Sequence, residues 1–318
     1  MATEGDLVAR PASGANLEIL PRHLEHIGRA SERGKERTQR AVGSPPWLTR
    51  QTKGGAIVTV FVVAHGAWSA AWAWKKMRPL LRAAGHELWT PTYTGLGERA
   101  HLANPTVELD THIADVVGML EMEDLRDVVL IAHSYGGMVA TGVADRARER
   151  IAQLVYLDAF VPQDGQSLFD LQSPETRARM RELARTDGEG WRLPPTQMPA
   201  DTPDADVAWA SGRRRPQPIK TFEQPLRLAG NGAPPPRTYI YCQRCAPTDV
   251  FHQFADRAQR ESGWRYFEID ASHNPHITAP HALLDLLTQI VSESAAADLG
   301  NPNADLRVNP RSVPRHDH

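Results

Sequence analysis

Cysteine is scarce in this chain: two residues, Cys242 and Cys245, in a total of 318. Two thiols cannot build the disulfide framework of a small secreted domain, so an apolar core has to hold the fold and a reducing compartment is expected. An excess of one charge is missing too. Lys and Arg total 36 against 38 Asp and Glu, a net −2, which leaves no electrostatic footprint for a nucleic acid partner. Long apolar runs are also lacking. The longest, Ala56 to Ala64, is far short of the roughly 20 residues that a spanning helix needs, so no membrane partner is expected. The first residues lack the apolar core of a signal peptide, and a cytoplasmic location is the expectation. A homodimer is compatible with the sequence, which assigns no oligomeric state.

What the chain does have is a core, with 41% hydrophobic residues. Its centre is Val128 to Ala140, V-V-L-I-A-H-S-Y-G-G-M-V-A. Val128, Val129, Leu130 and Ile131 form a short, wholly apolar run, the pattern of a strand buried on both faces of a parallel sheet. Small residues bracket Ser134, and Met138, Val139, Ala140 and Val143 begin a helical pattern. Strand, tight turn and helix with serine at the apex make a nucleophile elbow, here A-H-S-Y-G instead of G-x-S-x-G.

Around this unit, strands and helices alternate. Strands are predicted over Ala56 to Ala64, Glu87 to Thr90, Gln153 to Leu157, Thr238 to Cys242 and Arg265 to Ile269. Helices are predicted over Trp72 to Ala84, Leu109 to Met122, Phe251 to Gln259 and His276 to Ser292. That order predicts an α/β fold with a doubly wound, mostly parallel sheet. From about 163 to 236 the alternation stops, and a segment rich in Pro, Arg and Asp reads as a cap inserted above the sheet. Residues 1–54, with the mixed-charge run Ser31 to Arg40, read as a disordered N-terminal extension, and 296–318 as a disordered tail, leaving 55–295 as the folded domain.

An elbow serine needs a base and a group to orient it, which follow in the chain with the acid first and histidine last. His273, just after the last predicted strand, is the expected base, at the sheet edge where Ser134 emerges. His276 and His281 are its rivals and are read as solvated residues of the final helix. For the acid, Asp249 is preferred and Asp158 is the alternative; the competing reading of Asp249 is the cap of the following helix. The backbone N–H groups of Ala67 and Tyr135 are the expected oxyanion donors. His65 reads as a structural hydrogen-bonder. Gly66, Trp68, Trp72, Phe160 and Trp209 are the expected substrate pocket, suited to a hydrophobic ester. Arg213, Arg214 and Arg215 could meet a carboxylate-bearing substrate, but a solvated charge cluster is the preferred reading. No metal site is expected, because the nearby histidines have no ligand set to complete one.

Five motifs then coincide: His65-Gly66-Ala67-Trp68-x3-Trp72, Pro79-Leu80-Leu81-x3-Gly85-His86, Ala132-His133-Ser134-Tyr135-Gly136-Gly137, Leu157-Asp158-Ala159-Phe160-Val161-Pro162 and Ser272-His273-x-Pro275-x3-Ala279-Pro280. Together they resemble one branch of the α/β-hydrolases, which holds plant methyl-ester esterases, hydroxynitrile lyases and bacterial salicylate- and pyrethroid-type carboxylesterases. The resemblance covers about residues 57 to 292. It implies a hydrolase core with a cap after Pro162, no cofactor, and a serine esterase acting through a Ser-His-Asp triad and an acyl-enzyme on a small-molecule ester. Lyases of this branch carry threonine and lysine where this chain has Gly66 and Asn274, which favours the esterase. Plant members place the acid where this chain has Cys245, so Asp249 implies a rearranged loop. A carbon–carbon lyase, a polyketide-processing hydrolase and a slow-turnover ligand-binding receptor of the same fold are the alternatives.

Overall fold

Ten short stretches of extended chain and nine α-helices, counted among the described residues, make up the fold. The computed structural model describes residues 52–53, 56–230, 232–244 and 249–299. Most of the expected extension and tail, including Ser31 to Arg40, lies outside the described residues, as does Cys245.

The first strands, β1 (Thr52–Lys53) and β2 (Ala56–Ile57), pair with each other as an antiparallel hairpin. The run read as one strand over Ala56 to Ala64 is therefore broken. Its second half, β3 (Val60–Ala64), joins the main sheet, and between the two Thr59 donates its N–H to His86 Nδ1. The remaining main strands are β4 (Glu87–Trp89), β5 (Val128–Ser134), β6 (Ile151–Ala159), β9 (Arg237–Cys242) and β10 (Trp264–Ile269), with β7 (Arg192–Leu193) and β8 (Gln217–Pro218) in the cap. The order is β10-β9-β6-β5-β3-β4, and every ladder in it is parallel.

Side chains alternate across this sheet, as the two-residue strand period requires. Val62, Ala64, Leu130 and Ala132 face one layer; Phe61, Val63, Val129 and Ile131 face the other. The first layer holds α2 (Leu109–Met122), α3 (Gly136–Arg146) and α7 (His252–Arg260). In α2 the buried Leu109, Ile113, Val116 and Leu120 recur at helical spacing and form one apolar stripe. The second layer holds α1 (Met77–Ala83) and α9 (Pro280–Leu299), which buries Leu283, Leu287 and Ile290. Both faces are covered, so both tolerate wholly apolar strands.

Two expected helices are split. A 3₁₀ turn over Ala71–Trp74 precedes α1, where Pro79 lies in the first turn and needs no partner for its missing N–H. At the other end α8 (Pro275–Thr278) stops before Pro280, which opens α9. That last helix runs to Leu299, past the expected tail boundary at 296. The cap contains α4 (Pro174–Asp187), α5 (Asp204–Ser211) and α6 (Lys220–Glu223) beside the antiparallel β7–β8 pair. Among the described residues no helix is long and apolar enough to cross a membrane.

Candidate active site

Ser134 ends β5 and precedes α3 with φ 55°, in the left-handed region that non-glycine residues avoid. The backbones around it approach closely. A Cβ on Gly136 would stand 2.0 Å from the Ala64 carbonyl oxygen, and one on Gly137 would stand 1.8 Å from that of Phe160. Only glycine fits at either position, so α3 packs against β3 and the end of β6 while the serine hydroxyl is pushed out at the apex.

The hydroxyl meets His273. Ser134 Oγ lies 3.0 Å from His273 Nε2, and His273 Nδ1 lies 2.6 Å from Asp158 Oδ2. With the Nδ1 proton directed at the carboxylate, the Nε2 lone pair is left to the serine. Two further contacts fix the histidine. His133 Nε2 donates to the His273 carbonyl at 2.7 Å, and the Phe251 ring stacks on its imidazole at 4.8 Å.

The carboxylate beside His273 is thus Asp158, the alternative acid, and this corrects the preference for Asp249. The cause is a bulge. Along the β5–β6 ladder His133 pairs with Leu157 and Ser134 with Ala159, so Asp158 is left out of the register, with φ 44°. A bulge re-aims the extruded side chain. Asp158 is 4% exposed and also accepts from the Cys242 N–H at 3.4 Å. Burial raises its pKa, opposed chiefly by the hydrogen bond from His273. Asp249 does the other job that its position predicted. Its Oδ1 accepts from the N–H groups of Phe251 and His252 at the start of α7, and its Oδ2 from the Tyr241 hydroxyl.

Both expected oxyanion donors are close by. Ala67 lines the cavity above Ser134, Tyr135 follows the serine directly, and neither N–H reaches a backbone acceptor among the described residues. The Tyr135 ring points away, into the core, where its hydroxyl bonds His112 Nδ1. The turn carrying Ala67 is fastened to the cap. Trp68, with φ 57°, donates its N–H to Gln217 Oε1 and its indole N–H to the Leu193 carbonyl. His65 is the structural hydrogen-bonder its position implied: Nδ1 contacts the Gly66 carbonyl and Nε2 accepts from the Tyr93 N–H. Burial lowers its pKa to about 4, so it stays neutral.

The cavity over this chain of contacts has a volume of about 410 Å³. Gly66, Trp68 and Trp72 line it as expected. Phe160 does not. It is buried with its ring edge-on to Phe251 and Phe254, because the residue after the bulge turns towards α7. Trp209 stands one layer back, edge-on to Trp72. His281 is exposed, but the surface role expected of His276 is wrong: it is buried, stacked on Trp74 at 4.6 Å and close to the His133 ring. Sequence reasoning missed His133, Phe251 and Gln217, and it ranked a carboxylate-binding role for the arginine triple, whose Arg214 lines the cavity, below a solvated one. Of the three missed residues only His133 carried a signal, its place beside the nucleophile.

Comparison with known proteins places this geometry among relatives. The model of the "Alpha/beta hydrolase family" matches residues 61–286. A carbendazim hydrolyzing esterase from Nocardioides sp. (strain SG-4G) is 41% identical over 239 residues, covering 72% of this chain and 98% of that protein. The pheophorbidase of Raphanus sativus is 27% identical, covering 76% and 97%. Among solved structures, an extracellular alpha/beta-hydrolase from a Paenibacillus species aligns with a TM-score of 0.65 at 26% identity, covering 73% of this chain and 98% of the other.

Proposed function

The chain belongs to the alpha/beta hydrolase family, and from that premise we propose that it is a serine carboxylesterase using Ser134, His273 and Asp158. One observation carries the reading: the unbroken sequence of contacts from Ser134 Oγ through His273 to the buried Asp158. His273 takes the serine proton as Oγ attacks the ester carbonyl. Asp158 holds the imidazole in the required tautomer and stabilises the imidazolium. The N–H groups of Ala67 and Tyr135 receive the oxyanion, aided by the N-terminus of α3. His273 then protonates the departing alcohol, and water releases the acid by the same steps in reverse roles.

The likeness to the carbendazim hydrolyzing esterase supports the reaction class. The lyase alternative lacks support at both of its signature positions. Any side chain at 66 would put a Cβ 2.9 Å from His133 Nδ1, and Asn274 offers no cation for a leaving cyanide.

The test is Ser134→Ala. Hydrolysis of short p-nitrophenyl esters is expected to fall by about 10⁴-fold or more in kcat, with the fold intact by circular dichroism. Turnover comparable to the parent protein would end the proposal.

A further inference from the structure

The triple Arg213-Arg214-Arg215 was read as a solvated cluster, and for two of its members that holds. Arg213 lies over the Trp209 ring and bonds the Trp209 carbonyl, while Arg215 bonds the carbonyls of Gly212 and Arg214; both are exposed. Arg214 differs: it turns inward and lines the cavity. Its guanidinium lies 5.6 Å over the Trp68 ring and donates to the carbonyl and hydroxyl of Thr196.

A guanidinium carries five N–H donors, and Thr196 engages only part of that fork. No carboxylate lies within ion-pair distance of Arg214 among the described residues. The other charges of the cavity are already engaged. Arg244 forms a two-point pair with Asp270, Asp158 holds His273, and Asp249 holds the start of α7. Burial alone shifts Arg214, downward, with no carboxylate opposing it. A half-buried, unpaired cation facing a cavity costs solvation and is an opening for an anion.

We propose that Arg214 determines specificity by binding a carboxylate carried by the ester substrate, the inference resting on the esterase reading above. Trp68 fixes the place of that group. Its indole is held by Leu193 and its backbone neighbour is Ala67, so a carboxylate at Arg214 lies on the cap side of an ester whose carbonyl meets the Ala67 N–H. A single guanidinium, with no second unpaired base lining the cavity among the described residues, matches one negative charge. The substrate class is a half-ester of a dicarboxylic acid, with the scissile ester at Ser134 and the free acid at Arg214.

The experiment compares monomethyl with dimethyl esters of a rigid aromatic and a flexible aliphatic dicarboxylic acid, at a pH where the free carboxyl is ionised. The full chain is expected to prefer at least one half-ester over its diester in kcat/KM. Arg214→Gln is expected to lower that half-ester-to-diester ratio by about tenfold or more through KM, and Arg214→Lys to keep part of it. The parent protein provides an arm without substitution, since added salt should narrow its ratio. A ratio that is the same in parent and Arg214→Gln, and insensitive to salt, overturns the inference. Should no ester be turned over, the esterase reading fails separately. Calorimetric binding of the half-ester to Ser134→Ala, with and without Arg214→Gln, then decides: loss of binding supports the carboxylate site and equal binding overturns it.

Discussion

Asp158 and Asp249 both border the cavity, and their hydrogen bonds separate their roles. Asp158 receives a ring N–H from His273; Asp249 receives two backbone N–H groups and a phenol. Asp158→Asn is expected to lower kcat for ester hydrolysis by about 10³- to 10⁴-fold, because an amide can hold the imidazole in the wrong tautomer. Asp249→Asn, which keeps an acceptor for the start of α7, should stay within about tenfold. Steady-state kinetics on the two variants side by side checks this, and a larger loss for Asp249→Asn would reverse the assignment. Ser134 and His273 were legible in the sequence because chain order and small flanking residues mark them. The acid was legible only as a pair of candidates. Nothing in L-V-Y-L-D-A-F announces that the ladder skips a residue at Asp158, since a bulge is decided by what the neighbouring strand pairs with.

At the scale of the element, the turn between β5 and α3 is the most constrained part of the core. Gly137 lies against the Phe160 carbonyl, backbone on backbone, where nothing flexible can yield. Gly137→Ala is expected to cost on the order of 3 kcal/mol or more, by forcing α3 away from β6. Gly118 in α2 is the control. A Cβ there meets nothing within 4 Å, and Gly118→Ala should stabilise by about 0.5 to 1 kcal/mol. Urea midpoints of the two variants, expected to move in opposite directions, check both. The strands of the main sheet and α2 could be located from apolar period, Leu109–Met122 to the residue, but the break that splits Ala56 to Ala64 could not. The cap helices could not. α4 buries only Ala184 along its length, so it has no apolar stripe for a periodicity to reveal, and its start is set by the Ser173 cap and Pro174.

At the scale of the whole molecule, four histidines among the described residues are buried and uncharged: His65, His112, His133 and His276. Burial lowers their pKa from 6.5, to about 4 for His65 and about 3 for His112 and His276, and well below 6.5 for His133. Below pH 6.5 the unfolded chain takes up protons that the native chain refuses. The stability these groups give is therefore complete above 6.5 and is lost as pH falls towards 4, at about 1.4 kcal/mol per pH unit for each. Asp158, with its pKa raised, has the opposite sign but is one group against four. Thermal unfolding is expected to fall steeply in midpoint between pH 6.5 and 5, and a flat profile there would contradict the buried, neutral assignment. Only His65 was legible as a structural residue; the other three burials were not, because a histidine's environment is set by elements far apart in sequence: His112 bonds Thr94 and Tyr135, and His133 touches His276. The same dependence on distant parts governs the cap. Trp68 hangs from Gln217 and Leu193, so the loop that carries Ala67 is a guyed mast whose stays are anchored in the inserted segment. A chimaera that exchanged this insertion for a foreign one would cut those stays, and so would disturb the turn at Ala67 even where the hydrolase core was left untouched.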